Sequence, residues 1–233
     1  MDLAIYQQFA KDHLGGEFKR PELLATAFTH RSYLNEHRKT VSEHNERLEF
    51  LGDAVLELVV TEFLYANYPD PEGTLTNWRS ALVRTESISA AADREGFGQL
   101  LRLSRGEKKT SSPRARRQIL ANCFEAVVGA LYLDKGFATA RNFIERTLLV
   151  TLEDILESGS WMDPKSRLQE LVQSSLGFTP DYRVLSEDGP DHDKTFVVGV
   201  FVDNKLRGEG SGASKQDAQV AAARAALKTF ATH

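Results

Sequence analysis

Residues 44–58 read HNERLEFLGDAVLEL, and the fold of the surrounding chain turns on how they are read. Leu48, Leu51, Val55 and Leu58, with Val59 just beyond, recur at the three-and-four spacing of a helix. Glu46, Glu49, Asp53 and Glu57 crowd into the same turns. At about 100° per residue, with Glu46 at zero, Glu49 falls near ~300°, Asp53 near ~340° and Glu57 near ~20°. The four carboxylates share an arc of roughly 80°, opposite the apolar side. Like charges so placed repel, at a few tenths of a kcal/mol per pair. Either the stripe is solvated surface, or something positive sits over it.

A second segment bears on that choice. QILANCFEAVVGALYL (118–133) is apolar almost all round, as a helix buried in a core is. It nevertheless carries Asn122 and Glu125, three residues apart and on one face. An ionised carboxylate in such a helix is costly unless it is paired or holds a metal. One reading pairs Glu125 with an arginine such as Arg47. The other has it face the acidic stripe across a divalent cation, since carboxylate and amide oxygens are what Mg²⁺ or Mn²⁺ prefers.

The chain has 233 residues, 41% of them hydrophobic and 27% charged, enough for real cores in one large or two ordinary domains. No apolar run approaches the ~20 residues that span a bilayer, and the N-terminus has no signal-peptide pattern. The single cysteine, Cys123, excludes an internal disulfide framework and fits a reducing, cytoplasmic setting. Beside Asn122 on an apolar helix, it reads as a small core residue. The net charge of −4 is unevenly spread: residues 102–118 hold Arg102, Arg105, Lys108, Lys109, Arg114, Arg116 and Arg117 against Glu107 alone. That run is either a solvated loop or a phosphate-contacting patch.

Up to about residue 156 the periodicity predicts helices over 3–14, 21–29, 44–68, 74–95, 117–133 and 137–157, with loops at 68–74 and 108–114 and an N-cap at Thr74 or Thr76. Residues 157–163 read as a linker. From Pro164 the character changes. An amphipathic helix is followed by β-rich runs at 181–188, 194–203 and 205–212, with a tight turn at Asp203-Asn204. An alanine-rich helix, suited to close packing on a sheet, ends the chain. The order α-β-β-β-α defines a small α+β module over 164–233.

These segments together resemble the bacterial ribonuclease III family. NERLEFLGDAVL (45–56) resembles its signature, and RQILANCFEAVVGALYLD (117–134) its second acidic helix. FTHRSYLNE (28–36) and GTLTNWRSALV (73–83) fit around them. PKSRLQELVQ (164–173), GPDHDKTFVVGVFV (189–202) and GEGSGASKQDAQVAAARAAL (208–227) resemble a double-stranded-RNA-binding domain. The resemblance implies an all-α endonuclease domain over 1–156, followed by that α+β domain. It implies a homodimer that cuts double-stranded RNA in rRNA and mRNA processing. The products would carry 5′-phosphate and 3′-hydroxyl ends with short 3′ overhangs. Mg²⁺ would serve as cofactor, with Mn²⁺ able to substitute, and neither an organic cofactor nor a membrane is implied.

Matched by position, Glu46, Glu49, Asp53, Asn122 and Glu125 would form the metal site, with Asp53 and Glu125 the indispensable pair. Asn122 is the departure, since the family usually has aspartate there. An amide oxygen can ligate a cation but brings no charge, so weaker metal binding and slower cleavage follow. A protein that binds duplex RNA with weak or no cleavage is the alternative. Glu57 matches no motif position, and His30 and Arg31 are expected to shape the fold near the site without taking part in chemistry. In the tail, Gln169, Glu170 and Gln173 would meet 2′-hydroxyls, His192 the next minor groove, and Ser214 and Lys215 the phosphates between. Where relatives have paired lysines this chain has Lys215-Gln216 and then Asp217. The module's nine Lys/Arg balance its nine Asp/Glu, so weaker, salt-sensitive binding is expected.

Overall fold

A computed structural model of the chain describes residues 3–159, 161–190 and 194–230. It divides into two units, Met1–Glu157 and Ser158–His233. Among the described residues no helix is long and apolar enough to cross a membrane.

In the first unit α1 (Ala4–His13), α2 (Pro21–Ala27) and α3 (Arg31–Glu36) lead into the long α4 (Glu46–Asn67). Then follow α5 (Glu72–Leu82), α6 (Thr85–Arg94), α7 (Arg105–Thr110), α8 (Pro113–Lys135), α9 (Phe137–Thr147) and α10 (Leu152–Ser158). The centre is α8. Ser112 caps it by accepting from the Ala115 N–H at 3.2 Å, Pro113 occupies its first turn where a missing N–H costs nothing, and Gly136, at φ +83°, ends it. From Ile119 to Leu131 nearly every residue is buried, as the all-round apolar pattern requires. Its Phe124 packs with Phe97 and Phe143, the Phe124–Phe143 centroids 5.2 Å apart, and Phe97 packs in turn on Phe28 at 5.1 Å.

Four sequence expectations need correction. The span 74–95 is two helices, because the backbone turns at Val83–Arg84 while the apolar spacing runs on across the break. Neither Thr74 nor Thr76 caps α5: the helix begins at Glu72 after Pro71, and Thr76 Oγ1 instead donates to Glu72 Oε1 at 2.9 Å. The stretch 108–114 is mostly helical; Ser104 Oγ accepts from the Glu107 N–H at 3.0 Å and starts α7, leaving only Ser111 and Ser112 between helices. The span 137–157 is interrupted by a 3₁₀ turn at Leu149–Thr151.

The second unit holds α11 (Pro164–Leu176), β1 (Asp181–Asp188), β2 (Thr195–Val202), β3 (Lys205–Gly212) and α12 (Lys215–Phe230). The strands form one antiparallel sheet in the order β1-β2-β3. Asp203 and Asn204 both take positive φ, 51° and 57°, the two-residue turn that suits the twist of a hairpin. Val198, Val200 and Val202 alternate inward onto Leu168 and Val172 of α11 and the alanines of α12. The glycines of β3 explain how closely α12 lies: a Cβ on Gly208, Gly210 or Gly212 would come within 2.5, 2.2 and 2.6 Å of α12 atoms.

Candidate active site and nucleic-acid interface

Two more glycines build the candidate catalytic centre. A Cβ on Gly52 would lie 1.7 Å from the Glu125 carbonyl oxygen, and one on Gly129 2.3 Å from that of Leu48. The backbones of α4 and α8 therefore cross in direct contact at these positions. Glu49 and Asp53 lie beside Gly52, and Asn122 and Glu125 lie on the turns of α8 before Gly129, so the crossing brings the turns that carry all four next to one another. Nothing in the sequence reading drew on these glycines. The available signal was a glycine within each of two strongly helical, motif-bearing segments.

The electrostatics follow from that crowding. Burial pushes the Glu125 carboxyl from 4.5 up to about 8, with the charges of Asp53 and Glu49 adding to it. Burial also raises Glu49, helped by Glu46 and Asp53 and opposed by a hydrogen bond from the Asn122 side chain. Glu49 Oε2 is buried with no hydrogen-bond partner, a costly state for a carboxylate oxygen. Among the described residues no cation pairs with Glu125, Arg47 included. Asn122 turns its Oδ1 away, accepting from Gln118 Nε2 at 2.7 Å.

Glu46 lies at the rim, 3.8 Å from Arg31 and 3.9 Å from His44. Glu57, on the same stripe, is drawn off by Arg79 at 3.3 Å. His30 caps α3, with its Nδ1 accepting from the Ser32 N–H at 3.3 Å, which is a structural role.

Hard oxygen donors, mutual repulsion and an unpartnered buried oxygen are the donor chemistry that a divalent cation relieves. The side chains as they stand do not close on one point: among the described residues no three His, Cys, Asp or Glu side chains form a group that could hold an ion. The donor set fits the ion, and its ligand shell is not drawn together.

The basic run lies close to this centre in sequence. Arg105, Lys108 and Lys109 on α7, and Arg114, Arg116 and Arg117 on the first turns of α8, are all exposed. Arg102 is different: it donates to Thr29 Oγ1 at 3.2 Å and covers the Tyr33 ring at 4.3 Å, so it belongs to the scaffold.

In the second unit Gln169, Glu170 and Gln173 are exposed on α11, opposite the buried Leu168 and Val172. Asp163 caps that helix, accepting from Lys165 and Ser166 N–H groups at 3.0 and 3.2 Å. Ser214 and Lys215 stand at the start of α12. His192 lies outside the described residues. A cavity of 340 Å³ is lined by Gln169, Lys165, Tyr182 and Gln216 among others; burial, with the charge of Asp163, raises the Tyr182 hydroxyl to about 12.

A helical unit carrying acids at a helix crossing, followed in the chain by an α-β-β-β-α module, defines a nuclease domain followed by a double-stranded-RNA-binding domain. The comparisons agree. Residues 20–152 match the family model Ribonuclease-III-like, and residues 164–229 match Double-stranded RNA binding motif. Ribonuclease 3 of Bdellovibrio bacteriovorus is 46% identical over 220 residues, 94% of this chain and 93% of its own. Ribonuclease 3 of Oceanobacillus iheyensis is likewise 46% identical, over 94% of this chain and 96% of its own. The nuclease domain of Campylobacter jejuni ribonuclease III, in a structure concerned with flexibility in a region involved in dimer formation, superposes with a TM-score of 0.53 at 36% identity. It covers 60% of this chain and 96% of that domain. The chain belongs to the ribonuclease III family and is an endoribonuclease of that type.

Proposed function

We propose that this chain hydrolyses phosphodiester bonds of double-stranded RNA with the help of Mg²⁺, or of Mn²⁺ in its place, held between α4 and α8. The observation that carries the reading is Glu125, a carboxyl pressed onto a buried helix beside Glu49 and Asp53 and left without a cation. A bound divalent ion supplies an activated water and screens the charge that gathers on phosphate and departing 3′-oxygen. Glu49, Asp53 and Glu125 would hold it, Glu46 would extend the set at the rim, and Asn122 would join once its amide turns from Gln118. Ionised together, these acids also repel RNA phosphate, so phosphate approaches only where the positive charge is in place. Exposed Gln169, Glu170, Gln173 and Lys215, with half-buried Ser214, support duplex recognition through 2′-hydroxyls and phosphates. The cations of α7 and α8 support a further phosphate contact beside the cut. A cytosolic role in processing rRNA and mRNA, with 5′-phosphate and 3′-hydroxyl ends and short 3′ overhangs, completes the reading.

A homodimer fits the exposed apolar face of α4. Phe50, next to Glu49, is 82% exposed, and Tyr65 is 81% exposed; apolar surface of that kind marks an interface. Two sites across a two-fold axis would address the two strands of a duplex. The decisive experiment incubates a long end-labelled duplex with the protein and Mg²⁺ and maps the product ends, with mass measurement in solution alongside. Staggered cuts with 3′ overhangs that vanish on chelation support the reading. Binding without scission in Mg²⁺ and in Mn²⁺ favours instead an RNA-binding protein that cuts weakly or not at all. The seating of Asn122 Oδ1 on Gln118 is what keeps that second reading open.

A further inference from the structure

The groups at the start of α12 that duplex phosphates would meet are already occupied by acids of the same unit. Lys215 Nζ lies 3.0 Å from Glu187 Oε1, and Lys194 Nζ lies 3.5 Å from Glu187 Oε2. One carboxylate near the end of β1 thus spans two cations. Ser214 is engaged as well: its hydroxyl donates to Asp217 Oδ2 at 2.7 Å, and the Asp217 N–H donates back to Ser214 Oγ at 3.1 Å. The Lys215 ammonium also lies over the Phe196 ring, 5.5 Å from its centroid. Lys215 and Lys194 together hold the Glu187 carboxyl below the usual carboxylate range, so it stays ionised wherever RNA is bound. A carboxylate with two oxygens facing two ammonium groups presents the same charge and acceptor chemistry as a phosphate of the RNA backbone.

We propose that Glu187 is an internal competitor for RNA phosphate: a duplex must displace it from Lys215 before that lysine makes its contact, and Glu187 thereby sets RNA affinity. This rests on the RNA-binding reading above and adds a residue that lowers affinity rather than raising it. Because the pair is exposed, RNA can break it. The cost is a contact only partly gained, together with an acid left close to the phosphates. The module carries no net charge, so few cations are spare and one engaged lysine matters.

The test uses the full chain in EDTA, so that RNA is bound and not cut, with a fluorescent duplex of about 20 bp, long enough to fill the ~16 bp footprint of such a module. Glu187→Gln keeps the shape of the side chain and removes its charge. The expected result is roughly three- to tenfold tighter binding, with a log-affinity against log-salt slope steeper by about 0.7–0.9, one phosphate contact more. Glu187→Asp should bind as the native chain does. In a Lys215→Gln background the gain from Glu187→Gln should shrink below about twofold, which general repulsion would not produce. Unchanged or weaker binding by Glu187→Gln, at an unchanged melting temperature, overturns the proposal, and so does a gain that persists without Lys215. A native chain that does not retain the duplex at all overturns the RNA-binding reading first and this inference with it.

Discussion

Glu125 concentrates the physics of the candidate catalytic centre into one side chain. Its carboxyl is raised to about 8 by burial, then by Asp53 and Glu49. A group whose folded pKa exceeds its unfolded value keeps its proton in the folded chain while the unfolded chain loses it. Stability is then fully present below about 4.5 and drains as pH climbs towards about 8. Melts in EDTA should therefore fall between pH 5 and 8. Glu125→Gln should flatten that fall and melt about 5–10 °C above the native chain at pH 8, on a discounted shift of about 2–4 kcal/mol. An identical pH slope in both proteins would show that the buried charge is not the cause. The same proton must leave when a cation binds, so the thermal upshift from Mn²⁺ should be larger at pH 8.5 than at pH 6.5. Asn122 is the other residue to vary. Asn122→Asp adds a charged oxygen next to Glu49, and the Mg²⁺ needed for half-maximal cleavage should drop by about tenfold, measured by titration of initial rates. An unchanged requirement would show that this position does not face the ion. The acidic stripe and Glu125 stood out in the sequence because charge on one helical face and charge on an apolar helix are both anomalies of pattern, but choosing Glu49 and Asp53 over Glu57 took the family resemblance. The seating of Asn122 on Gln118 was not legible, since an amide's orientation is decided by its neighbours in space.

Among elements, the α4–α8 crossing positions the candidate centre, and two glycines permit it. Gly52→Ala and Gly129→Ala each set a methyl into the partner backbone, which only separation of the helices can relieve. About 3 kcal/mol or more of stability should go with it, and cleavage should fall further than stability alone explains, because Glu49 and Asp53 move away from Glu125. Gly73→Ala is the control: nothing lies within 4 Å of its added Cβ, and alanine in α5 should leave the melt unchanged or raise it by up to about 1 kcal/mol. If all three variants melt alike, the close approach is not what holds the helices. These glycines also show where sequence reading stops. The β-rich runs and the Asp203-Asn204 turn signal gave the three strands of the second unit almost to the residue, although inward alternation is clear only in β2, where Val198, Val200 and Val202 are buried. Apolar spacing gave α4 and α8, but it also ran smoothly through the turn at Val83–Arg84 and fused α5 to α6. Helix α7 was hidden because its six residues, RGEKKT, carry no apolar face at all; the Ser104 cap starts it. Glycine counts against a helix by propensity, so its value at a crossing emerges only when the second helix is in place.

At the scale of the whole chain, separate cores lead to separate responses. The first unit is organised round α8, and the second round Leu168, Val172, the inward valines of β2 and the alanines of α12. A small module of this size buries a modest core, so it should melt on its own and below the helical unit, giving two calorimetric transitions where a single cooperative body would give one. Ligands should address them independently. A divalent cation at a hundred times its dissociation constant adds about 2.7 kcal/mol to whatever binds it. Mn²⁺ should thus raise the upper transition by several degrees and leave the lower one in place. A fragment spanning residues 158–233 should melt where the lower transition falls and retain duplex RNA in EDTA without cutting it when Mg²⁺ is restored. A single transition, or one cation shifting both, would mean that the units share their stability and that RNA capture and cleavage cannot be separated by dividing the chain.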